Sequence, residues 1–374
     1  MQAKKKTIGL VTWLGGGNYG TTFQSYALHY TLEKLGYKCF YIQSFNIFRV
    51  KYIPQGIITL YRKFKSIWGD VKKLEEGLSI VKLKRFQTET INIRSVESRK
   101  QYICLIRDID VFCSGSDQIW NTMHNFNRFM FLSFARNKKR IAYASSIGTH
   151  DIKEEYKDVV KQLLLKYNYI GVRERSAVEA LSKLTGRQDI VQVLDPTFLL
   201  NPLDWKIMSQ VAEVEIELPQ TYIFCYLIGK NENYVKQLSE VKYRTNIDSI
   251  VIIPAVENPT FTQEDAIVYR YSGPKEFIYI LQHATFVCTD SFHASALSIN
   301  HSKNFVEFIR FKDEDVKSQN SRIYDLLEHY GLTDRIYDKD NLSWTENIDY
   351  ERVQKILDDD RKRSLDYLVN AIEN

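Results

Sequence analysis

One segment constrains this chain more than any other: Ala284-Thr-Phe-Val-Cys-Thr-Asp290-Ser-Phe-His293-Ala-Ser-Ala-Leu297. Phe286, Val287 and Cys288 make a short apolar run that reads as a buried strand. Thr289, Asp290 and Ser291, residue types suited to helix N-caps, lead into a helix of small residues from Ala294 to Leu297. A strand that runs straight into a helix belongs to a parallel sheet covered by helices. The junction therefore sets His293 at the carboxyl end of a strand, on the first turn of a helix. Ligands of open α/β sheets bind in that crevice, and the free N–H groups of a helix start favour an anion. An imidazole beside an anion site can hold and protonate a phosphate-bearing substrate. The plainer reading is a core histidine satisfied by a backbone carbonyl.

The same alternation fills the chain. Residues 7–14 read as a strand, 15–20 as a glycine-rich turn, and 23–35 as a helix stopped by Gly36. Further strands are expected at 37–42, 110–114, 140–145, 169–172 and 190–194, with a helix at 174–184. After Asn201-Pro202 the rhythm restarts, with strands at 221–228, 249–253 and 303–308 around the Phe286 strand, and helices at 232–241, 274–282 and 321–329. The tail, 350–372, carries charged and apolar residues at helical spacing. At 374 residues the chain is long for one core. The expectation is an α/β fold of two Rossmann-like domains facing a cleft: 1–200, 201–345, and a C-terminal helix within 346–374 that packs back on the first domain.

Composition narrows the partners. Hydrophobic residues at 44% and charged residues at 26% are those of a globular protein, with no apolar run of membrane-spanning length. The basic start, Met1 to Lys6, leads into a strand and glycines, which argues against a signal peptide. Cys39, Cys104, Cys113, Cys225 and Cys288 are scattered with no Cys-x-x-Cys pair, which fits reduced thiols in the cytoplasm and no metal site. A net charge of +5 suits an anionic small molecule or a membrane-surface substrate better than a nucleic acid. Within 57–86, Tyr61, Phe64, Ile67 and Trp68 share a helical face interleaved with Arg62, Lys63, Lys65, Lys72 and Lys73. Such a helix can lie peripherally on the inner face of an anionic membrane or, more simply, pack on its own domain.

Four loops after strands carry chemistry. Gly15-Gly-Gly-Asn18-Tyr19-Gly20 allows close backbone approach to a ligand, yet the acid of a dinucleotide fingerprint is missing after the second strand. Asp117, Gln118, Trp120 and Asn121 combine a carboxylate, two amides and an indole, the set that grips sugar hydroxyls; a loop stabilised by its own side chains is the alternative. Arg173 emerges from a strand at a helix start, where it can clamp an anion or simply pair with Glu174. The fourth loop holds Ser291 and His293, and downstream Lys317 and Arg322 can close over a bound anion.

These segments together resemble the polysaccharide pyruvyl transferase family. The matching stretches are Gly16 to Gly20 with Gln24, Ala27 and Leu28; Ser114 to Asn121; Ala142 to Gly148; Val172 to Ser176; Leu194 to Thr197; Thr289 to Ala294; and Asn320 to Ile323. The resemblance implies a fold like the GT-B glycosyltransferases and transfer of a pyruvyl group from phosphoenolpyruvate to two hydroxyls of a sugar, with no further cofactor and no metal. It implies His293 as general acid and Asp117 as a base-like carboxylate. Arg173, Ser291, Arg322 and Lys317 would face the donor, and Asn18, Tyr19, Gln118, Trp120 and Asn121 the acceptor, whether lipid-linked or polymeric. Many members carry Arg two residues before the histidine; here that position is Ser291, with Arg322, Lys317 or Arg310 as candidate substitutes. Two alternatives stand beside this expectation. One is a GT-B glycosyltransferase using a sugar nucleotide, with Glu307 as the ribose-binding acid. The other is a non-catalytic glycan-binding paralogue.

Overall fold

The computed structural model describes residues 5–14, 17–45, 71–123, 126–231, 233–255, 266–313, 315 and 318–374. The aromatic face at Tyr61, Phe64, Ile67 and Trp68 lies outside the described residues, as does Lys317.

The amino-terminal lobe alternates β1 (Thr7–Val11), α1 (Tyr19–Lys34), β2 (Lys38–Phe45), α2 (Val71–Thr90), β3 (Ile93–Val96), α3 (Arg99–Asp108) and β4 (Val111–Ser114). It continues through β5 (Lys139–Ser145), α4 (Lys157–Leu164), β6 (Tyr169–Val172), α5 (Arg175–Thr185) and β7 (Ile190–Gln192). These strands form one parallel sheet in the order β3-β2-β1-β4-β5-β6-β7. The second lobe adds α6 (Pro202–Ser209), β8 (Ile223–Tyr226), α7 (Tyr234–Thr245), β9 (Ile250–Ile252), β10 (Ile267–Val268), α8 (Pro274–His283), β11 (Phe286–Thr289), α9 (Phe292–Asn300) and β12 (Phe305–Glu307). Its parallel sheet runs β10-β9-β8-β11-β12. Two helices close the chain, α10 (Ser321–Tyr330) and α11 (Tyr350–Glu373).

Helices cover both faces of each sheet, so central strands such as Val111–Ser114 and Ile223–Tyr226 are buried throughout and read as unbroken apolar runs. In each sheet the strand order reverses once, between β1 and β4 and between β8 and β11. Loops at such a reversal diverge to opposite faces and leave a crevice at the strand ends. The first crevice takes the loops before Asn18 and around Asp117; the second takes those around Gly229 and Asp290. There Asp290 accepts from the Ile228 and Gly229 N–H groups (2.7 and 2.6 Å) and from the Tyr234 hydroxyl (2.8 Å). That clamp fixes the entry to α9.

Helix α1 joins the lobes. It begins at Tyr19, a turn earlier than its apolar spacing predicts, because the Asn18 side chain accepts from Thr21 N–H and caps it. Its Tyr19 ring packs at 4.8 Å from Phe277 and edge-on to Tyr226, both from the second lobe. The Tyr19 hydroxyl meets Ser79 Oγ at 3.1 Å and Ser272 Oγ at 2.7 Å. Burial pushes that phenol up to about 12, so it stays a neutral hydrogen-bonding group. Helix α11 is a second strap. Gln354 donates to Ile299 of the second lobe, whereas Tyr367 donates to Ala142 and Ser364 Oγ accepts from Leu194 N–H in the first.

Removing the Tyr19 hydroxyl strands two buried serines between the lobes. Tyr19→Phe is expected to cost about 1–3 kcal/mol of unfolding free energy, measured by denaturant titration. An unchanged midpoint would show that those bonds contribute nothing.

Candidate active site

The carboxyl ends of the two sheets face each other, and the predicted residues meet there unequally. His293, on the first turn of α9, is 8% exposed. Its Nε2 lies 3.7 Å from Asp195 Oδ2, ion-pair range rather than a hydrogen bond, and has no hydrogen-bond partner among the described residues. The other ring nitrogen, Nδ1, faces Gly20 of α1 so closely that a Cβ built there would stand 2.2 Å from it. Only glycine fits at that point.

Asp195 was not singled out as a site residue by its sequence, although Leu194-Asp195-Pro196-Thr197 lies in a family-like stretch. Its carboxylate is the hub of the cluster. Oδ1 accepts from Thr197 N–H and Oγ1 (3.0 and 2.7 Å), and Oδ2 accepts from Ser116 Oγ (3.2 Å) and Arg173 NH1 (2.9 Å). Burial opposes its charge, but His293, Arg173 and the Thr197 N–H hold it far below the ordinary carboxylate range. Arg173 also donates through Nε to Glu174 (2.8 Å) and stacks on the Phe292 ring at 4.2 Å. Only its NH2 is left without a partner among the described residues. The structural ion pair and the open donor thus coexist in one guanidinium.

Asp117 reaches the cluster from the β4 loop with a left-handed backbone (φ 74°). It accepts from Thr21 Oγ1 at 3.0 Å and lies 3.9 Å from Arg173 NH1. Burial works against its charge, yet His293, Arg173, the Gln118 N–H and Arg322 keep it below the usual carboxylate range. Gln118 lies across the cleft from α10. In one amide orientation it donates to Gln319 (3.0 Å); turned over, its oxygen accepts from Arg322 NH1 at 2.9 Å. The guanidinium is the stronger donor, which favours the second orientation. In the first orientation Asn121 donates to the Gln118 oxygen at 2.9 Å, and both amides press on Gly148, whose φ of 69° and missing Cβ admit them. Arg322 is 5% exposed, and its Nε has no partner among the described residues. Burial and the neighbouring Arg173 charge draw it below the ordinary guanidinium range, so an anion beside it would be stabilising.

Other predicted residues fall elsewhere. Tyr19 and Trp120 are core rings, not sugar platforms: the Trp120 indole donates to Met130 and stacks on Phe131 at 5.4 Å, and Tyr19 joins the lobes as described. The apolar face of each is taken by the protein. Asn18 is exposed and serves as the α1 cap. Ser291 precedes α9 with its N–H bonded to Thr289 Oγ1, and its side chain does not cap the helix. Glu307, the ribose-binding candidate, is fully buried; it accepts from Ser295, and its Oε1 has no partner among the described residues. Burial raises its carboxyl well above the ordinary range.

A cavity of about 280 Å³ lies alongside, closed by α10 and α11 and touching Arg173, Asp195, Phe292 and Arg322. His293, Asp117 and Gln118 do not line it. Orphaned buried atoms of Arg173, Glu174 and Arg322 belong to residues that line it, and the orphaned His293 Nε2 faces Asp195 beside it.

The fold and site define a two-lobed α/β protein of the GT-B kind. A family model for polysaccharide pyruvyl transferase matches residues 18–310, most of the chain, and the protein belongs to that family. No curated protein matches it. Among solved structures, UDP-GlcNAc 2-epimerase from Neisseria meningitidis bound to UDP-GlcNAc superimposes with a TM-score of 0.52 at 9% identity, covering 98% of this chain and 100% of that one. A protein from Listeria monocytogenes described as a UDP-N-acetylglucosamine 2-epimerase gives 0.50 at 10% identity, over 98% and 91%. At such identities the likeness is one of fold. Among the described residues no helix is long and apolar enough to cross a membrane.

The state of Glu307 gives a pH test. A carboxyl raised in the fold contributes stability fully below its unfolded value near 4.3, and that contribution is lost as pH rises toward the folded value. Glu307→Gln should therefore gain on wild type by up to about 1.4 kcal/mol per pH unit between pH 5 and 8. Thermal melts across that range measure it; a difference that does not change with pH would mean Glu307 is ionised in the fold.

Proposed function

We propose that this protein transfers a pyruvyl group from phosphoenolpyruvate to two hydroxyls of a sugar in a surface polysaccharide or its precursor, releasing phosphate. The observation that carries the reading is His293, a buried imidazole with one nitrogen directed at Asp195, the carboxylate that also binds the buried Arg173 guanidinium, and the other at a glycine.

The chemistry follows from what the donor requires. A proton moves from His293 to the enol methylene carbon, and C2 becomes an oxocarbenium-like centre. One sugar hydroxyl bonds to C2 and loses its proton. The C2–O bond to phosphate then breaks, and the second hydroxyl closes the ketal. One hydroxyl proton replaces the proton spent on the methyl group, and the other leaves with phosphate. Arg322, with its open Nε, and the open NH2 of Arg173 would meet the donor's phosphate and carboxylate. Asp117, held ionised, is a poor strong base but a good charge to set beside an oxocarbenium and a good acceptor for a sugar hydroxyl. Gln118 and Asn121 stand next to it for the acceptor. Arg322 takes the part that the missing arginine at Ser291 would have played.

Two measurements test this. His293→Ala should lower phosphate release from phosphoenolpyruvate in the presence of acceptor by ~10²–10⁴-fold. Near-wild-type release would remove the imidazole from the reaction. Arg322→Ala should raise the donor KM by about tenfold or more, as for loss of a charge-assisted contact, while acceptor KM stays put. An unchanged donor KM would place the anion elsewhere.

A further inference from the structure

We infer that Asp195 is the positioning residue for His293, holding the imidazole through Nε2 so that Nδ1, above Gly20, is the nitrogen that delivers the proton. The inference rests on the reading of His293 as general acid and goes beyond it by assigning the working atom and the group that fixes it.

Three observations carry it. First, the two ring nitrogens are not equivalent: Nε2 looks at Asp195 Oδ2, 3.7 Å away, whereas Nδ1 looks at the start of α1. Second, Asp195 is itself immobilised. Its side chain is 0% exposed, and Thr197, Ser116 and Arg173 hold both oxygens. A carboxylate so held can select the ring tautomer that carries hydrogen on Nε2 and stabilise the imidazolium, the service an orienting carboxylate gives a catalytic histidine. Third, the imidazole packs directly on the backbone of α1: a Cβ on residue 20 would stand 2.2 Å from Nδ1, so only glycine lets the ring keep this position beside Asp195.

The geometry also defines what the imidazole feels. Asp195 faces it from the loop after β7 and Asp117 from the loop after β4. Arg173, at the end of β6, is bound to Asp195 and lies near Asp117, and the Arg322 guanidinium of α10 lies 5.8 Å from the Phe292 ring centre. From α1 the contact is Gly20, which carries no charge. Replacing Asp195 by Asn removes the carboxylate charge facing Nε2.

A double-mutant cycle on the full chain tests the assignment, read by phosphate release at saturating phosphoenolpyruvate and acceptor. Asp195→Asn should lower kcat by ~10–100-fold and move the alkaline limb of its pH profile to lower pH, because the proton on the acid is held less tightly. In a His293→Ala background the same change should do nothing further. If the two losses multiply, Asp195 acts structurally and the inference fails, while the reading of His293 stands. If His293→Ala alone retains activity, it is that reading that fails. Nitrogen-15 spectra of the wild-type histidines, with His293 assigned by the alanine variant, require no folded Asp195 variant. At alkaline pH they should show hydrogen on Nε2 of His293; hydrogen on Nδ1 would overturn the assignment. Gly20→Ala, which places a methyl against Nδ1, should abolish turnover in a protein that still melts cooperatively, and full activity there would also overturn it.

Discussion

The structure depends on a buried carboxylate that touches both lobes. Asp195 closes the amino-terminal sheet, binds Arg173 and Ser116 of that lobe, and looks out at His293 of the other. A buried ion pair of this kind contributes little net stability compared with an apolar replacement, because desolvation offsets most of the attraction. What it does supply is register. Breaking either partner leaves an uncompensated charge, so the lobes have one favourable way to meet, and the orphaned nitrogens of Arg173 and Arg322 are held ready in that arrangement. Sites that leave buried polar atoms unsatisfied do so against a free-energy cost, and function is the usual reason they persist.

Much of the fold was legible in the sequence because parallel strands buried on both faces leave a simple trace. Val111-Phe-Cys-Ser and Phe286-Val-Cys-Thr are apolar runs with polar ends, and each is a strand where expected. Boundaries slipped where capping outweighs hydrophobic spacing: α1 starts at its Asn18 cap and not at Phe23. Helix α3 was missed, although Ser98 and Gln101 form a full capping box before it, because its apolar residues, Tyr102 to Ile106, are consecutive and show no helical spacing. The site was legible in part. His293, Arg173, Asp117, Gln118 and Arg322 converge, each announced by a strand end or a helix start. Tyr19 and Trp120 were misread because an aromatic residue next to polar loop residues looks the same in sequence whether its ring meets a sugar or the core. Asp195 was passed over because Asp-Pro reads as a turn, and a turn aspartate usually bonds its own backbone. It does that through Thr197 N–H, and its second oxygen does the rest.

The exchange of an arginine for Ser291 makes physical sense in this setting. A guanidinium at position 291 would enter a region that already holds Arg173 and Arg322, both buried, and a third charge would need its own counter-ion. Arg322 instead approaches from α10, and its guanidinium carbon and that of Arg173 lie 5.8 and 4.2 Å from the Phe292 ring centre. Each guanidinium keeps an open donor. The negative face of the aromatic ring offsets part of their mutual repulsion.

That arrangement also explains why Arg322 needs Gln118. Without a ligand the guanidinium has no carboxylate of its own within ion-pair distance among the described residues, and it leans on two side-chain amides: NH2 donates to Gln319 Oε1 at 2.8 Å, and NH1 meets the turned-over Gln118 oxygen at 2.9 Å. A neutral amide satisfies the donor weakly, and an anion entering the cleft competes with it on favourable terms. Displacing Gln118 frees its amide beside Asp117 and Asn121, where the acceptor hydroxyls are proposed to sit. On that proposal, donor binding and completion of the acceptor side are coupled through Gln118.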